Sequence, residues 1–153
     1  MRRLFAACAV IAALAMLAGC FSGRDGWMDL PEVKAEYEEA ARSLTWPDGY
    51  EWRSADERYK NEDETEPTIY EAGYGTGSAT SEWLCAWDLE LLNAVNDNLS
   101  PKRDAAIAEL AKLPTLPGWK HYDEGAQELL NEYLGNARLG DFSEIASYVE
   151  ANC

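Results

Sequence analysis

The single histidine of the chain, His121, limits the catalytic and metal sites that the sequence can build. A zinc site with three histidines is excluded within one chain, because it needs more than one imidazole. A serine–histidine–aspartate triad needs only one, but no Gly-x-Ser-x-Gly elbow is present to support it. We therefore predict no catalytic residue, no metal site and no cofactor, and we interpret His121 as a solvated loop residue beside Trp119 and Tyr122.

Carboxylates are abundant, with 28 acidic residues in the chain. Two of them across a cleft could hydrolyse a glycosidic bond, so a carboxylate-dependent cell-wall glycan or peptide hydrolase stays open as an alternative function. The acidic run over residues 62–66 could offer oxygen ligands to calcium. It departs from the EF-hand pattern, since Glu66 stands where glycine is required, and we interpret the run as a solvated loop.

Glycines alternate along the chain at Gly73, Gly75 and Gly77. Neither a dinucleotide fingerprint nor a phosphate-binding loop follows them. This spacing predicts a flexible turn.

The first twenty residues are typical of an exported protein. Arg2 and Arg3 precede an apolar stretch over residues 5–17 that has the length of a signal-peptide core. Residues 17–20, Leu-Ala-Gly-Cys, resemble the lipobox of bacterial lipoproteins. The resemblance implies that residues 1–19 are cleaved and that Cys20 carries a diacylglycerol. Residues 20–28 would then be a short tether to the cell membrane, on its extracytoplasmic face.

Further short motifs extend this resemblance to small uncharacterised lipoproteins of high-GC Gram-positive bacteria. They are the Trp-Pro-Asp-Gly-Tyr turn at residues 46–50, the Trp-Leu-Cys-Ala-Trp segment at 83–87 and the closing Val-Glu-Ala-Asn-Cys. The resemblance implies a location and a fold. It implies no activity.

Two cysteines remain if Cys8 leaves with the signal peptide and Cys20 is acylated, namely Cys85 and Cys153. An oxidising compartment favours a disulfide between them. The alternative is two free thiols, with Cys85 as a small buried side chain. The disulfide would hold the end of the chain against its centre.

Charge restricts the partners. Without residues 1–19 the chain has 11 basic and 28 acidic residues, a net charge of −17. Such a surface repels nucleic acid, so we predict no nucleic-acid partner. The predicted partners are the lipid bilayer, through acylated Cys20, and an envelope protein or cell-wall component.

Apolar spacing and helix-start signals predict one domain over residues 29–153 that is mainly α-helical. Asp29 and Glu32 have the spacing of a capping box, as do Asp141 and Glu144. We expect a compact bundle of about five helices, at most one or two short strands and one disulfide. The predicted helices cover about residues 29–46, 78 or 80 to 98, 100–113, 123–138 and 141–153.

Aromatic residues are concentrated in the turn that follows the first predicted helix. Trp46, Tyr50 and Trp52 are candidate binding residues, because exposed rings can stack on sugar faces or on a partner. The alternative is that they cap the bundle and bury the loop against it.

The function that we expect is a membrane-anchored extracytoplasmic binding or interaction module of unknown activity. A structural or assembly subunit is the second alternative.

Overall fold

One long central helix organises the fold, and the other elements pack around it. The computed structural model describes residues 26–62 and 68–153. The helices and strands in these ranges are β1 (Trp27–Met28), α1 (Leu30–Ser43), α2 (Ala55–Arg58), β2 (Tyr70–Glu71), α3 (Tyr74–Asn96), α4 (Ser100–Leu110), α5 (Glu124–Arg138) and α6 (Ser143–Asn152). Two 3₁₀ turns, Leu113–Thr115 and Pro117–His121, connect α4 to α5. The prediction of a mainly helical domain with at most two short strands is therefore confirmed.

Helix α1 begins at the predicted capping box. The Glu32 amide donates to the Asp29 carboxylate at 3.0 Å, and the Asp29 amide donates to the Glu32 carboxylate at 2.9 Å. Both bonds satisfy amides that have no partner within the helix. The face of α1 that carries Val33 and Tyr37 is fully buried against α3.

The predicted flexible turn at Gly73, Gly75 and Gly77 is wrong, because α3 begins at Tyr74. Gly73 adopts a positive φ of 98° just before the helix. Gly75 allows α1 and α3 to touch through their backbones, since a Cβ at Gly75 would lie 2.6 Å from the Val33 carbonyl oxygen. Glycine is therefore required at Gly75 for the close packing of the two helices, and at Gly73 for the positive φ just before α3.

Two clusters of buried side chains lie on different sides of α3. The larger one joins α3 to α4, α5 and α6, and the smaller one joins it to α1, α2 and the strands. Trp83 and Trp87 belong to the larger cluster, and both indole nitrogens donate to the Thr45 carbonyl, at 2.8 and 2.9 Å.

The two strands pair antiparallel, with Trp27 opposite Glu71 and Met28 opposite Tyr70. Trp27 and Met28 thus belong to the folded domain and not to the predicted tether, because Met28 is buried in the smaller cluster. Within the described residues, no helix is both long and apolar enough to cross a bilayer.

Helix α5 begins as predicted at about residue 123, whereas the predicted cap of α6 is wrong. Asp123 caps α5 by accepting a hydrogen bond from the Ala126 amide at 2.8 Å. The predicted capping box of Asp141 and Glu144 does not form, since Asp141 accepts from Ser143 two residues ahead. The Glu144 carboxylate instead accepts from the Asn136 amide group at 3.0 Å, which connects α6 to α5.

The predicted disulfide between Cys85 and Cys153 is present. Cys85 lies in the middle of α3, and Cys153 directly follows α6. The bond joins residues 68 positions apart and holds their Cα atoms at 5.6 Å. It therefore fastens the end of α6 to the central helix.

Candidate functional site

The three candidate binding aromatics form one stack in the loop between α1 and α2. The Trp46 and Tyr50 rings lie 5.3 Å apart and nearly parallel, at 8°. Trp46 and Trp52 lie 6.5 Å apart at 20°. The structure thus brings all three residues together, as an array with Trp46 at its centre, and each of them is half-buried.

The polar atoms of this stack are directed into the protein. The Trp46 indole nitrogen donates to the Ala41 carbonyl at 3.0 Å, and the Tyr50 hydroxyl donates to Glu82 at 3.3 Å. Trp52 packs edge-on against Tyr37, with ring centroids 6.1 Å apart. These contacts hold the loop against both core clusters. This is the arrangement expected if the three aromatic residues cap the bundle.

Glu82 is the centre of that attachment, although it is not among the predicted site residues. Only 3% of the residue is exposed. Its carboxylate accepts hydrogen bonds from the Tyr37 hydroxyl at 2.7 Å, the Arg53 amide at 2.9 Å and the Arg53 side chain at 3.2 Å. Burial acts to raise the pKa of Glu82, but these donors outweigh it and lower the pKa below its usual value.

We expect Glu82→Gln to lower the free energy of unfolding by about 2 kcal/mol, because charge-assisted hydrogen bonds become neutral ones. The pair with Arg53 adds little, as 52% of the Arg53 side chain is exposed. Urea denaturation at neutral pH measures the change. The matched control is Glu128→Gln at an exposed position of α5, which should shift stability by less than about 0.5 kcal/mol. Equal stability of the two variants would contradict the assignment.

Asp88 is a second buried carboxyl group, on the α3 face that meets α5 and α6. It is 0% exposed, and its Oδ2 atom accepts a hydrogen bond from the Tyr133 hydroxyl at 3.3 Å. Its Oδ1 atom has no hydrogen-bond partner in the described part of the chain. Burial raises the pKa of Asp88 to about 7, which the bond from Tyr133 opposes.

An acid catalyst needs a raised pKa, but it also needs contact with its substrate. Asp88 has no exposed surface through which a substrate could reach it. In the groove between α1 and α2, Asp56 pairs with Lys34 at 3.2 Å and Glu38 with Arg42 at 3.6 Å. Asp88 therefore cannot serve as the accessible acid on which the hydrolase alternative depends.

A pocket of about 310 Å³ lies where α2, the start of α3 and the Pro117–His121 turn meet. His121 is exposed, as predicted, and lies near Trp119 and Tyr122 in the chain. It also forms part of the wall of this pocket. Ser81 and Tyr122 line the pocket with their hydroxyl oxygens 2.9 Å apart. Sequence spacing could not reveal this pocket, because its walls come from three separate segments between residues 58 and 122.

In the described ranges, no group of three or more acidic, histidine or cysteine side chains is placed to hold a metal ion. Most of the acidic run at 62–66 lies outside those ranges, as do Cys20 and the rest of the lipobox.

The chain matches no family model, and no curated protein or solved structure is significantly similar to it.

Proposed function

We propose that the protein is a lipoprotein held on the extracytoplasmic face of the cell membrane by a diacylglycerol on Cys20, where its helical domain acts as a binding module. The observation that carries this proposal is the Leu-Ala-Gly-Cys motif at residues 17–20, placed directly after an apolar signal-like stretch. Two acyl chains on one cysteine are sufficient for stable anchoring, whereas a single chain is marginal.

The disulfide supports the proposed location. Structural disulfides persist in oxidising compartments outside the cytoplasm and are rare inside it. Cys85 and Cys153 are also the pair that remains once the signal peptide and the lipid account for the other two cysteines. The proposed compartment and the observed bond are therefore consistent.

The small sheet supports a membrane-proximal orientation. Trp27 is 46% exposed and Ile69 is 62% exposed. Trp27 lies opposite Glu71, and strand alternation places Ile69 on that same outward face. Trp27 follows Cys20 by seven positions, a span of at most about 25 Å. Tryptophan also favours the membrane–water interface.

The binding part of the proposal is supported by the pocket beside His121 and by the half-buried aromatic stack. The hydrolase alternative is weaker because the carboxyl group with a raised pKa, Asp88, is inaccessible. The assembly-subunit alternative has less support as well. In the described residues, the exposed large apolar side chains lie on several different elements and not on one helix face.

Fatty-acid labelling tests the anchor. The full chain is produced in a bacterial host supplied with an alkyne-tagged fatty acid, and label and membrane fractionation are measured together. We expect the wild type to carry label and sediment with membranes, and Cys20→Ser to lose both properties. Cys8→Ser is the matched control, a cysteine in the same segment that should leave both unchanged. An unlabelled wild type, or a labelled Cys20→Ser variant, would refute the proposal.

A further inference from the structure

We infer that the pocket between α2, α3 and the Pro117–His121 turn binds a small organic anion, through a phosphate or carboxylate group placed between Arg58 and His121. The inference deepens the binding part of the proposed function by giving its ligand a chemical class. It does not depend on the lipid anchor, because all the residues concerned belong to the folded domain.

Charge is the first argument. The chain carries a net charge of −15, yet none of the residues that line the pocket is an aspartate or glutamate. Arg58 and His121 both line it, and neither side chain makes a hydrogen bond or ion pair with any residue in the described ranges. Elsewhere in those ranges, Arg42, Arg53 and Arg103 pair with carboxylates, whereas exposed Arg138, at the end of α5, does not. A guanidinium with no carboxylate partner among the described residues is available to an external anion.

Hydroxyl groups are the second argument. Ser81 and Tyr122 share one hydrogen bond, in which either oxygen can be the donor. The two hydroxyls have two hydrogens, so one hydrogen stays available to an acceptor in the pocket. Ser78, on the same side of α3, also lines the wall. Neutral donors beside a cation are the groups that bind phosphate and carboxylate oxygens.

Steric fit is the third argument. The His121 ring lies directly against Gly73, where a Cβ atom would overlap the imidazole. Gly118 packs equally closely on α3, since a Cβ there would lie 2.6 Å from Thr80 Cβ. The glycines thus bring the turn onto the helix and hold His121 at the edge of the pocket.

Pocket size and ring content favour an organic anion over a bare inorganic ion. A volume of about 310 Å³ exceeds that of a single phosphate and lies at the lower end of the range for small-molecule sites. Tyr74, which is 49% exposed, and half-buried Tyr122 offer ring surfaces beside the polar groups. The ligand that fits is a small molecule with one anionic group and one apolar or planar part.

Nuclear magnetic resonance provides a direct test, because His121 is the one histidine of the chain and gives a single set of imidazole signals. The full chain in a non-ionic detergent is titrated with phenyl phosphate, benzoate and inorganic phosphate, and with uncharged phenol as a control. We expect saturable shifts of the His121 signals with at least one of the two organic anions. The two probes distinguish phosphate from carboxylate as the bound group, and we expect weaker binding of inorganic phosphate and phenol.

Two variants locate the site. Arg58→Gln should weaken binding of the organic anion at least tenfold, and Gly77→Leu should block it by filling the pocket. A Cβ at Gly77 would lie 3.7 Å from His121 Cβ, an ordinary contact, so this helical position accepts a side chain without a clash at its first atom. Arg103→Gln is the matched control, since it removes the same charge from α4, where Arg103 pairs with Asp104.

Several results would overturn the inference. They are the absence of saturable binding by either organic anion, binding of phenol as tight as that of phenyl phosphate, and equal weakening by Arg58→Gln and Arg103→Gln. Circular dichroism of each variant shows whether it has folded. If Gly77→Leu fails to fold, Arg58→Gln and its control still decide the outcome. Failure of this titration leaves the fatty-acid labelling result unaffected, so the two proposals can be judged separately.

Discussion

Replacing Asp88 by asparagine is expected to stabilise the protein above pH 7 and to remove a large part of its loss of stability with rising pH. The carboxyl group is fully buried between α3 and α5, with a single hydrogen bond from Tyr133. Its pKa rises from 3.8 to about 7 on folding, which corresponds to about 4 kcal/mol. The folded protein must bear this cost whenever Asp88 is ionised.

The direction of the pH dependence follows from proton linkage. The folded state binds the Asp88 proton more tightly than the unfolded state does, because the folded pKa is the higher one. The stability contributed by this group is therefore fully present below about pH 4 and decreases as the pH rises through about 7. Other carboxyl groups, such as Glu82 with its lowered pKa, act in the opposite direction. The difference between wild type and variant isolates the contribution of Asp88.

Urea denaturation of Asp88→Asn and wild type between about pH 4 and 8 measures this difference. We expect the variant to gain about 1–2 kcal/mol above pH 7, and not the full 4, because its amide N–H group replaces the unpartnered Oδ1 atom. At about pH 4 the variant should be no more stable than the wild type. Asp48→Asn, at an exposed turn position, is the control and should leave the pH profile unchanged. A constant difference across the pH range would contradict the assignment.

Loss of the disulfide between Cys85 and Cys153 is expected to lower the free energy of unfolding by about 4 kcal/mol. The bond closes a long loop, with residues 68 positions apart, and loop-closure entropy in the unfolded chain grows with loop length. Half-buried Phe142, Tyr148 and Val149 connect α6 to the larger core cluster. Without the bond, these contacts, buried Ile145 and the hydrogen bond between Asn136 and Glu144 must hold α6 in place.

Denaturation with and without a reductant measures this effect, using the wild type and a Cys85→Ser, Cys153→Ser double variant. The reduced wild type and the double variant should have the same lowered midpoint, and the reductant should not change the double variant further. Intact mass should rise by about 2 Da on reduction of the wild type, as breaking one bond requires. A midpoint that does not respond to the reductant would show that this bond does not limit stability.

Local rules were sufficient for much of the fold. The capping box of Asp29 and Glu32 and the cap at Asp123 depend on residues three positions apart, so nearby sequence determines them. The central helix α3 was predictable from the apolar spacing of Trp83, Trp87 and Leu91 over several turns. The pairing of Cys85 with Cys153 came from counting cysteines, which needs no geometry.

The failures have a common cause, which is competition from partners distant in the chain. Glu144 has the correct spacing from Asp141, but Asn136 on α5 takes its carboxylate. Gly75 looks like a turn residue in the sequence. In the structure it is a helical residue, at which the backbones of α1 and α3 come into close contact. Asp88 did carry a signal, because Leu84 and Leu91, one turn away on either side, are both core residues. Glu82 lies in the same way between Ala79 and Ala86, on the face toward α1.

The amino-acid sequence by itself determined the helical class, several helix starts, the disulfide and the prediction that Cys20 is acylated, because each depends on local spacing or on residue counts. Only the tertiary structure decided that Glu82 fastens the aromatic loop and that Asp88 is buried with one partner. Only the tertiary structure, likewise, brought Arg58, Ser81 and His121 together around one pocket. Burial and distance between remote segments set the pKa of a carboxyl group and the walls of a pocket. Both arise only when α1, α2, α5 and the Pro117–His121 turn pack against α3.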